Sequence, residues 1–427
     1  MNILIFTNTY LPHVGGVARS VEAFTTEYRR RGHGVLIVAP EYPNMPEHEE
    51  DMIRIKAIEN FNASDFSLPL PVHSPLRKRI DAFGPDIVHS QHPFLLGMTA
   101  LRVARSRKLP LVFTHHTLYE QYTHYVPGDS APVERFAIEL ATRYANLTDR
   151  VFAPSESIRE LLRERGVTAP IDVVPTGIHP EKFASGDRMA WRKAKGIPEE
   201  AFVVGHLGRL ALEKNLEFLA QAVAMFVADT PHAHFLVVGT GPAEDTMREA
   251  FAQAGAESRL HNAGILKDQP LVDALHAMDV FAFTSKSETQ GIVLTEAMAA
   301  GLPVVALDAP GAREVVADRK NGRLLHEAST EAFSAALQWV EQLPSDQMRD
   351  LREAARATAE SYSMACTADK ALEAYEETIA KLTGRVDKDQ QDWETIFSWV
   401  EAEWYVLKTL VGACGIAVKS LSSDKDS

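Results

Sequence analysis

The sequence predicts an α/β protein built from two doubly wound parallel sheets in tandem, with a helical C-terminal extension. Short apolar runs alternate with helical patterns from the N-terminus, and the alternation restarts after a charged connector near residue 190. Such alternation is typical of parallel sheets covered by helices. The length of 427 residues also exceeds what one ordinary core accommodates. We therefore expect two α/β domains.

The first predicted domain spans residues 1–175. Its apolar runs predict strands, and the segments between them have helical patterns. The predicted strands are 3–6, 34–39, 87–89, 111–114 and 151–153, and the helices include 20–31 and 132–147. A further apolar segment, 171–177, closes this domain.

The second predicted domain spans residues 176–362 and repeats the pattern. Its predicted strands are 202–207, 233–239, 260–262, 280–284 and 304–307, and its helices include 215–226, 243–253, 270–278, 330–340 and 345–362. Ligands of doubly wound sheets bind beyond the carboxyl ends of the strands. We therefore expect the facing edges of the two sheets to form one cleft.

The C-terminal extension begins with residues 363–384, which we expect to form a crossover helix that returns toward the N-terminal domain. Residues 385–427 are a tail with apolar residues at helical spacing and three of the five tryptophans of the chain. Its apolar stripe suits a bilayer surface, the protein body or self-association with a second subunit. The last residues, 420–427, are expected to be disordered.

Composition narrows the class of protein. With 45% hydrophobic and 24% charged residues, the chain is globular. Two cysteines, Cys366 and Cys414, argue against a disulfide framework and against a thiolate metal site. The N-terminus lacks the charged region of a signal peptide, and no run approaches the roughly 18 apolar residues of a spanning helix. We expect a cytoplasmic protein.

Charge is unevenly distributed along the chain. The net charge is −14, yet acidic and basic residues nearly balance over residues 1–175. That half contains three basic clusters, at 29–31, 77–79 and 102–108, which suit anionic lipid headgroups as well as ordinary solvated helix faces. The acidic total and the absence of interleaved aromatic and basic residues argue against nucleic acid as a partner.

Two carboxylates eight residues apart, Glu288 and Glu296, bracket Gly291 before a run of small residues that leads into an apolar strand. We expect Glu296 to open a helix. A helix N-terminus directs N–H groups and positive partial charge outward, which suits a phosphate, and the carboxylates can accept bonds from sugar hydroxyls. From the spacing alone, two surface glutamates on an ordinary helix fit equally well.

Three motifs together resemble the retaining GT-B glycosyltransferases of family 4. They are the segments 288–296, 208–215 (Gly-Arg-Leu-Ala-Leu-Glu-Lys-Asn) and 7–18, which contains Gly15-Gly16. Each lies at the end of a predicted strand, and the resemblance covers residues 1–380. It implies two Rossmann-like domains that face each other across a cleft, and the transfer of a hexose from a nucleotide sugar.

The resemblance also implies roles for individual residues in binding the donor. Arg209 and Lys214 would hold the diphosphate and stabilise its departing charge, Glu288 would accept hydroxyls of the sugar, and Glu296 those of the ribose. An arginine can bind phosphate through two parallel hydrogen bonds, and a lysine contributes a compact positive charge. An arginine and a lysine at this spacing often lie in an ordinary solvated loop. The implied donor-binding set is Gly16, Gly208, Gly239, Gly241, Ile265, Gln290, Gly291, Ile292 and Glu296.

The implied catalytic set adds His116 to Arg209, Lys214 and Glu288. His116 aligns with the active-site histidine of the family, whereas a satisfied core histidine is the alternative from the residues alone. The sequence has no convincing Asp-x-Asp loop and no His/carboxylate cluster at metal-ligand spacing, so we expect neither a metal nor a cofactor. No enzymic nucleophile is evident, which favours front-side displacement with the leaving phosphate accepting the proton of the acceptor.

Residues 116–127 are similar to the corresponding stretch of bacterial 1,2-diacylglycerol 3-glucosyltransferases. This narrower resemblance implies UDP-glucose as donor, a membrane lipid such as diacylglycerol as acceptor, and peripheral association with the inner face of the cell membrane. The implied acceptor-binding residues are Gly15, His115, Tyr119, Tyr122, His124 and Tyr125. A packed loop is the alternative for the three tyrosines.

Three other functions stay open from the sequence. A GDP-mannose-dependent mannosyltransferase acting on a phospholipid or glycolipid would share every donor motif. A UDP-sugar 2-epimerase has a similar architecture but needs further carboxylates in the first domain. A non-catalytic scaffold would use the tail that contains Trp393, Trp399 and Trp404.

Overall fold

The structure is a computed structural model that describes residues 1–13, 15–43, 45, 49, 51–58, 68–69, 75–118 and 131–382. The tail 385–427 and four predicted acceptor residues, Tyr119, Tyr122, His124 and Tyr125, lie outside these ranges. The described chain forms two compact units. The first contains the described residues of 1–154, 159–174 and 368–382, and the second contains 155–158 and 175–367.

The first unit is built on a seven-stranded sheet whose neighbouring strands all pair in parallel. The strands of this sheet, in chain order, are β1 (Asn2–Phe6), β2 (Gly34–Pro40), β3 (Met52–Ile55), β6 (Ile87–Ser90), β7 (Leu111–Thr114), β8 (Arg150–Ala153) and β9 (Ile171–Val173). Between β3 and β6, the short strands β4 (Ala57–Ile58) and β5 (Leu68–Pro69) form a separate antiparallel pair. The order across the sheet is β3-β2-β1-β6-β7-β8-β9. A parallel sheet is covered on both faces, which is why these strands read as continuous apolar runs.

The helices up to residue 164 are α1 (Gly16–Arg30), α2 (Pro75–Phe83), α3 (Leu96–Arg107), α4 (Ala131–Asn146) and α5 (Glu156–Glu164). Gly15 is the N-cap of α1 with extended backbone, and Arg30 at its end suits the negative pole of the helix.

The second unit contains a six-stranded parallel sheet. Its strands are β10 (Phe202–Leu207), β11 (Ala233–Val238), β12 (Leu260–Asn262), β13 (Val280–Phe283), β14 (Val304–Leu307) and β15 (Gly322–Leu325), in the order β12-β11-β10-β13-β14-β15. Its helices are α6 (Arg188–Lys195), α7 (Leu216–Asp229), α8 (Glu244–Gln253), α9 (Asp268–Ala277), α10 (Ile292–Ala299), α11 (Thr330–Glu341) and α12 (Ser345–Ser361).

Alternate residues of these strands build two cores, one on each face of the second sheet. Val203 and Phe281 belong to the core that contains residues of α10 and α12, whereas Val204 and Ala282 belong to the core that contains residues of α7 and α11. Successive strand residues point to opposite faces, so each strand serves both cores. The predicted α/β class with two doubly wound sheets is confirmed.

Strand order reverses once in each sheet. In the first sheet β1 lies between β2 and β6, and in the second β10 lies between β11 and β13. The chain therefore adds strands on one side of its first strand and then crosses to the other side. Crevices for ligands form at such reversal points, outside the carboxyl ends of the strands.

The last described helix, α13 (Met364–Leu382), packs its Tyr375 into the first unit. Tyr28 donates to the Tyr375 hydroxyl at 3.4 Å, Tyr375 donates to Nδ1 of His89 at 2.5 Å, and His89 lies 2.7 Å from Thr114 Oγ1. The Tyr375 ring also stacks on Phe152. This buried chain of hydrogen bonds joins the end of the described chain to β6 and β7.

In the described part of the chain, no helix combines the length and the apolar character that crossing a membrane requires.

Candidate active site

The loops at the reversal point of the second sheet bring two of the predicted catalytic residues, Lys214 and Glu288, into contact. Lys214 Nζ donates to Glu288 Oε1 at 2.6 Å, and both side chains are about one-fifth exposed, at 20% and 22%. Two bonds between Asn215 and Thr284, at 3.2 and 3.1 Å, fasten the loop after β10 to the end of β13. Asn215 itself adopts a left-handed conformation with φ 56°, which asparagine tolerates better than most residues.

Arg209 lies on the exposed side of the same loop. Its guanidinium pairs with Glu213 at 2.9 Å, with 63% of the arginine side chain exposed. Exposed pairs of this kind contribute little to stability. Arg209 can therefore exchange Glu213 for a phosphate at small cost.

Glycines allow three loops of this unit to approach one another closely, backbone against backbone. A Cβ on Gly239 would lie 1.9 Å from the Gly208 carbonyl oxygen, and one on Gly241 would lie 2.4 Å from that of Leu210. All three glycines have positive φ, at 157°, 141° and 156° for Gly208, Gly239 and Gly241. These loops form a row of closely packed main chain, which we call the backbone edge. It ends beside Gly264, whose carbonyl oxygen accepts a hydrogen bond from Gly239 N at 2.9 Å.

Ile265 follows Gly264 and is 69% exposed, which is unusual for a large apolar residue. An exposed apolar side chain at the end of this backbone edge offers contact to a planar ring system. The assignment of Ile265 to the nucleotide base stays a prediction.

Helix α10 begins at Ile292, with Gly291 as its N-cap at φ 70°. The expectation that Glu296 opens this helix is therefore wrong, because the left-handed glycine starts the helix four residues earlier. Glu296 is half-buried in the second turn. The outward N–H groups belong to the first turn, after Gly291.

Gln290 is engaged by the protein itself. Its Oε1 accepts from Thr176 N at 2.7 Å, its Nε2 donates to Thr176 O at 2.6 Å, and the residue is only 6% exposed. Both ends of the amide are used. Gln290 therefore holds the loop before α10 against Thr176, and its side chain contributes to donor binding only by fixing that loop.

Gly311 supports the loop from the other side. A Cβ at this position, where φ is 86°, would lie 2.8 Å from Glu288 Cβ and 3.1 Å from Gly291 N. The close contact fixes the backbone on which Glu288 is mounted. The sequence reasoning missed Gly311, because a single glycine after a strand is a weak signal.

His206 lies in β10 below the Lys214–Glu288 pair and was also missed. Its Nδ1 is 3.1 Å from the Ala282 carbonyl oxygen, and its ring stacks on Phe281. Burial lowers the pKa of His206 to about 4, so the ring is neutral at pH 7. A histidine inside an apolar run reads as part of the strand, which hides it from pattern analysis.

The corresponding loops of the first unit place His116 after β7, where it meets a residue that the sequence reasoning did not identify. His116 Nε2 lies 2.6 Å from Oε1 of Gln91, which follows β6. An amide oxygen only accepts, so Nε2 carries the proton of the ring. Burial lowers the pKa of His116 to about 4.

Asn8 connects the ends of β1 and β6 in the same unit. Its backbone N–H donates to His92 Nδ1 at 3.1 Å, its Oδ1 accepts from Leu96 N at 3.1 Å, and its Nδ2 donates to Phe94 O at 3.1 Å. These bonds fix the loop that begins with Gln91. Asn8 was noted in the motif 7–18 only as part of the resemblance.

The remaining predicted residues of the first unit differ in exposure. His115 is 1% exposed and contacts the edge of Phe113 at 5.9 Å between ring centroids. A Cβ on Gly15 would meet His13 at 3.3 Å, whereas one on Gly16 would meet nothing within 4 Å. A side chain at Gly16 would therefore have room, while His115 lies in the core.

Replacing Gln91 with glutamate is expected to raise the pKa of His116, because a carboxylate beside the ring favours the imidazolium form. If the neutral ring is needed for transfer, the acidic limb of the pH–rate profile moves to higher pH by about one unit or more. Steady-state rates measured from pH 4 to 8 test this. Gln253→Glu, on an exposed face of α8, adds the same charge as a control. An unmoved acidic limb in Gln91→Glu would contradict the role of this contact.

Comparison with known proteins identifies the two halves of the chain. The model of Glycosyltransferase Family 4 matches residues 14–182, and that of Glycosyl transferases group 1 matches residues 187–358. The chain is similar to an alpha-monoglucosyldiacylglycerol synthase of Streptococcus pneumoniae, at 29% identity over 76% of this chain and 75% of that protein. It is also similar to a GDP-mannose-dependent alpha-mannosyltransferase of Mycolicibacterium smegmatis, at 30% identity over 79% of this chain and 87% of that protein.

Solved structures agree on the fold. The chain is similar to HepE of Anabaena in complex with UDP, with a TM-score of 0.69 and 21% identity over 88% of this chain and 100% of that one. Sucrose-phosphate synthase of Thermosynechococcus elongatus has the same TM-score at 20% identity, over 89% and 99% of the two chains. The predicted family is confirmed, and the protein belongs to the family 4 glycosyltransferases with the GT-B fold.

Proposed function

We propose that this glycosyltransferase moves glucose from UDP-glucose onto a hydroxyl group of a membrane lipid such as 1,2-diacylglycerol, with retention of configuration and without a metal. The observation that carries the proposal is the contact of Lys214 with Glu288 beside Arg209, at the reversal point of the second sheet. This arrangement provides cations for a diphosphate and a carboxylate for sugar hydroxyls within one loop cluster.

In the proposed reaction, the bond between the anomeric carbon and the diphosphate oxygen breaks as the acceptor oxygen bonds to the same face of that carbon. The proton of the acceptor hydroxyl passes to the departing phosphate oxygen. Negative charge grows on the diphosphate, so Lys214, Arg209 and the first turn of α10 stabilise the transition state more than the ground state. No cofactor enters this scheme.

Glu288 has two tasks in this scheme. It accepts hydrogen bonds from the hydroxyls of the donor sugar, and it holds Lys214 in place through the 2.6 Å contact. In the first unit, His116 and its partner Gln91 would orient the acceptor. Glu296 would bind the ribose, and Ile265 would contact the base.

Relatives support the lipid acceptor and the hexose. Alpha-monoglucosyldiacylglycerol synthases of Streptococcus pneumoniae and Acholeplasma laidlawii are both 29% identical to the chain. Docking at the inner face of the membrane would use exposed members of the basic clusters, such as Arg30 and Arg77. Arg30 and Arg77 pair with acids of their own helices, Glu27 and Asp81, but their side chains stay exposed. Arg31 contacts both Glu27 and Asp369 and is only 19% exposed. Self-association through the tail 385–427 remains part of the proposal.

Product analysis tests the proposed function. The full-length protein is incubated with radiolabelled UDP-glucose and mixed micelles of diacylglycerol, and the lipid extract is separated by thin-layer chromatography. We expect a labelled glycolipid with an α linkage in its NMR spectrum, and loss of most of it in Glu288→Ala. The exposed Lys286→Met variant of the same loop serves as a control. The absence of glycolipid with every nucleotide sugar tried would overturn the lipid acceptor.

A second candidate is a GDP-mannose-dependent mannosyltransferase with a phospholipid or glycolipid acceptor. The 30% identity to the Mycolicibacterium smegmatis enzyme of that description favours it. A thermal-shift panel separates the two, because the preferred nucleotide stabilises the folded state by about 2.7 kcal/mol at a concentration of 100 Kd. A larger shift with UDP than with GDP supports the glucosyltransferase, and the reverse supports the mannosyltransferase.

A further inference from the structure

Three arginines contact a single carboxylate in the second unit, at the opposite end of the strands from the candidate active site, and a fourth lies one helical turn from one of them. We name them the arginine cluster: Arg188 and Arg192 of α6, and Arg352 and Arg356 of α12. The carboxylate is Asp279, which directly precedes β13, whereas Glu288 follows the same strand. The cluster therefore lies at the amino end of β13, and the site of Lys214 lies at its carboxyl end.

Arg192 accounts for the structural part of this cluster. It is 1% exposed and donates to the carbonyl oxygens of Ala277 and Ala201 and to Asp279 Oδ2, at 2.7 to 2.9 Å. Asp279 Oδ2 also accepts from Val203 N at 2.9 Å. In the part of the chain that the structure describes, Oδ2 of Asp279 thus accepts hydrogen bonds only from groups that hold the fold together, Arg192 and the backbone of Val203.

The other oxygen of Asp279 is shared unequally by two arginines. Arg188 Nη2 donates to Oδ1 at 2.8 Å, whereas Arg352 Nη2 lies 3.4 Å from the same atom. Arg352 Nε is shielded from water and has no hydrogen-bond acceptor among the described residues. A shielded, unsatisfied donor in a folded protein requires an explanation, and an unseen anion is one of the standard ones.

Arg356 follows Arg352 by one turn of α12 and makes no ion pair within the described part of the chain. Its guanidinium lies against Gly301, since a Cβ there would meet Nη2 at 2.4 Å. Like charges at this i,i+4 spacing destabilise a helix. An anion bound between the two guanidinium groups would relieve that repulsion.

Of the described carboxylates, Asp279 is the one whose attraction acts on both Arg352 and Arg192. The pKa of Arg352 is lowered by burial first, then by repulsion from Arg188 and Arg356, against the attraction of Asp279. The pKa of Arg192 is lowered in the same way, by burial and by Arg188 and Arg352. Asp279 is the acid whose attraction opposes both effects.

We propose that Arg188, Arg352 and Arg356 form a second anion site, which binds a phosphate group carried by a small metabolite or by a lipid headgroup. Planar guanidinium groups bind phosphate oxygens through paired hydrogen bonds. Arg188 and Arg352 are about one-third exposed, at 32% and 35%, and Arg356 is exposed, so a ligand can reach them from solvent. The site is separate from the donor site, and it does not depend on which sugar is transferred.

Isothermal titration with inorganic pyrophosphate tests the site in the full-length protein. The Lys214→Met background reduces binding of the probe at the candidate donor site. Each of Arg352→Gln and Arg356→Gln is expected to weaken binding about tenfold, because one charge-assisted hydrogen bond is lost. Arg356 is exposed, so its replacement leaves the fold intact even if Arg352→Gln lowers the melting temperature.

Arg349→Gln is the matched control, because Arg349 lies on the same helix, is 67% exposed and already pairs with Asp350 and Glu353. An unchanged affinity in Arg349→Gln supports a specific site. An equal loss in all three variants indicates general attraction to a basic surface and would overturn the proposal. So would pyrophosphate binding that neither Arg352→Gln nor Arg356→Gln weakens.

Flotation with vesicles distinguishes the two sources of the phosphate. Vesicles of phosphatidylcholine with phosphatidic acid are compared with phosphatidylcholine alone, at constant ionic strength. Weaker flotation of Arg356→Gln than of Arg349→Gln indicates a lipid headgroup. Equal flotation, together with arginine-dependent binding of pyrophosphate, indicates a soluble phosphate. If neither probe depends on Arg352 or Arg356, the second anion site does not exist.

Discussion

Replacing Lys214 with methionine is expected to lower the turnover of the transferase by about 10²–10³-fold, the usual effect of removing one group that stabilises charge in a transition state. Lys214 Nζ lies 2.6 Å from Glu288. Methionine keeps much of the side-chain length and apolar stem while removing the cation. The measurement is the steady-state rate at saturating donor and acceptor, compared with kcat/KM.

Lys286→Met is the control for this prediction, because Lys286 is exposed in the loop that contains Glu288. It removes the same charge and should leave turnover unchanged. Both variants should unfold within about 1 kcal/mol of the parent, since the ion pair of Lys214 is partly exposed. A Lys214→Met protein with the turnover of the parent would show that the diphosphate is stabilised elsewhere.

The second large effect is acid sensitivity, which arises from buried neutral histidines. Burial lowers the pKa of His89 and His92 to about 3 and that of His116 to about 4 in the first unit, and that of His206 to about 4 in the second. Between pH 6.5 and 4 the unfolded chain binds protons at these rings and the folded chain does not. Stability therefore falls as pH decreases through this window, by about 2 kcal/mol per histidine between pH 7 and 5.

Urea unfolding at pH 7, 6 and 5 measures this loss. His206→Phe is the informative variant, because phenylalanine preserves the stacking on Phe281 and removes one titrating group. Its free energy of unfolding should fall by about 2 kcal/mol less than that of the parent over the same range. A stability that stays constant from pH 7 to 5 would contradict the account of these rings as neutral and buried.

The central strands of both sheets and the edge strand β12 were predictable, whereas the edge strands β3 and β15 were not. β1 and β10 are apolar along most of their length because helices cover both faces of the sheet. The edge strands β3 and β15 contain Arg54 and Arg323, whose guanidinium groups pair with Glu49 and Asp318. Charged residues at a sheet edge break the apolar run on which the prediction depended.

The parts of the candidate site with a conspicuous residue type were predictable from the motifs. Arg209, Lys214 and Glu288 are charged residues at strand ends, and the structure places the last two in contact. Gln91 and Gly311 are supporting residues, whose importance depends on distances between segments far apart in sequence. The start of α10 was missed because a left-handed glycine, and not a side-chain cap, begins that helix.

The attachment of α13 has a consequence for the order of events during synthesis. Tyr375 completes a buried set of hydrogen bonds with His89 and Tyr28 in the first unit. The chain must still add residues 175–367 after the strands of that unit have been made. At typical translation rates this takes roughly 10–40 s. Throughout that interval the nascent first sheet exposes the surface around Phe152 that Tyr375 later covers, so a chaperone that shields it should raise the yield of active protein.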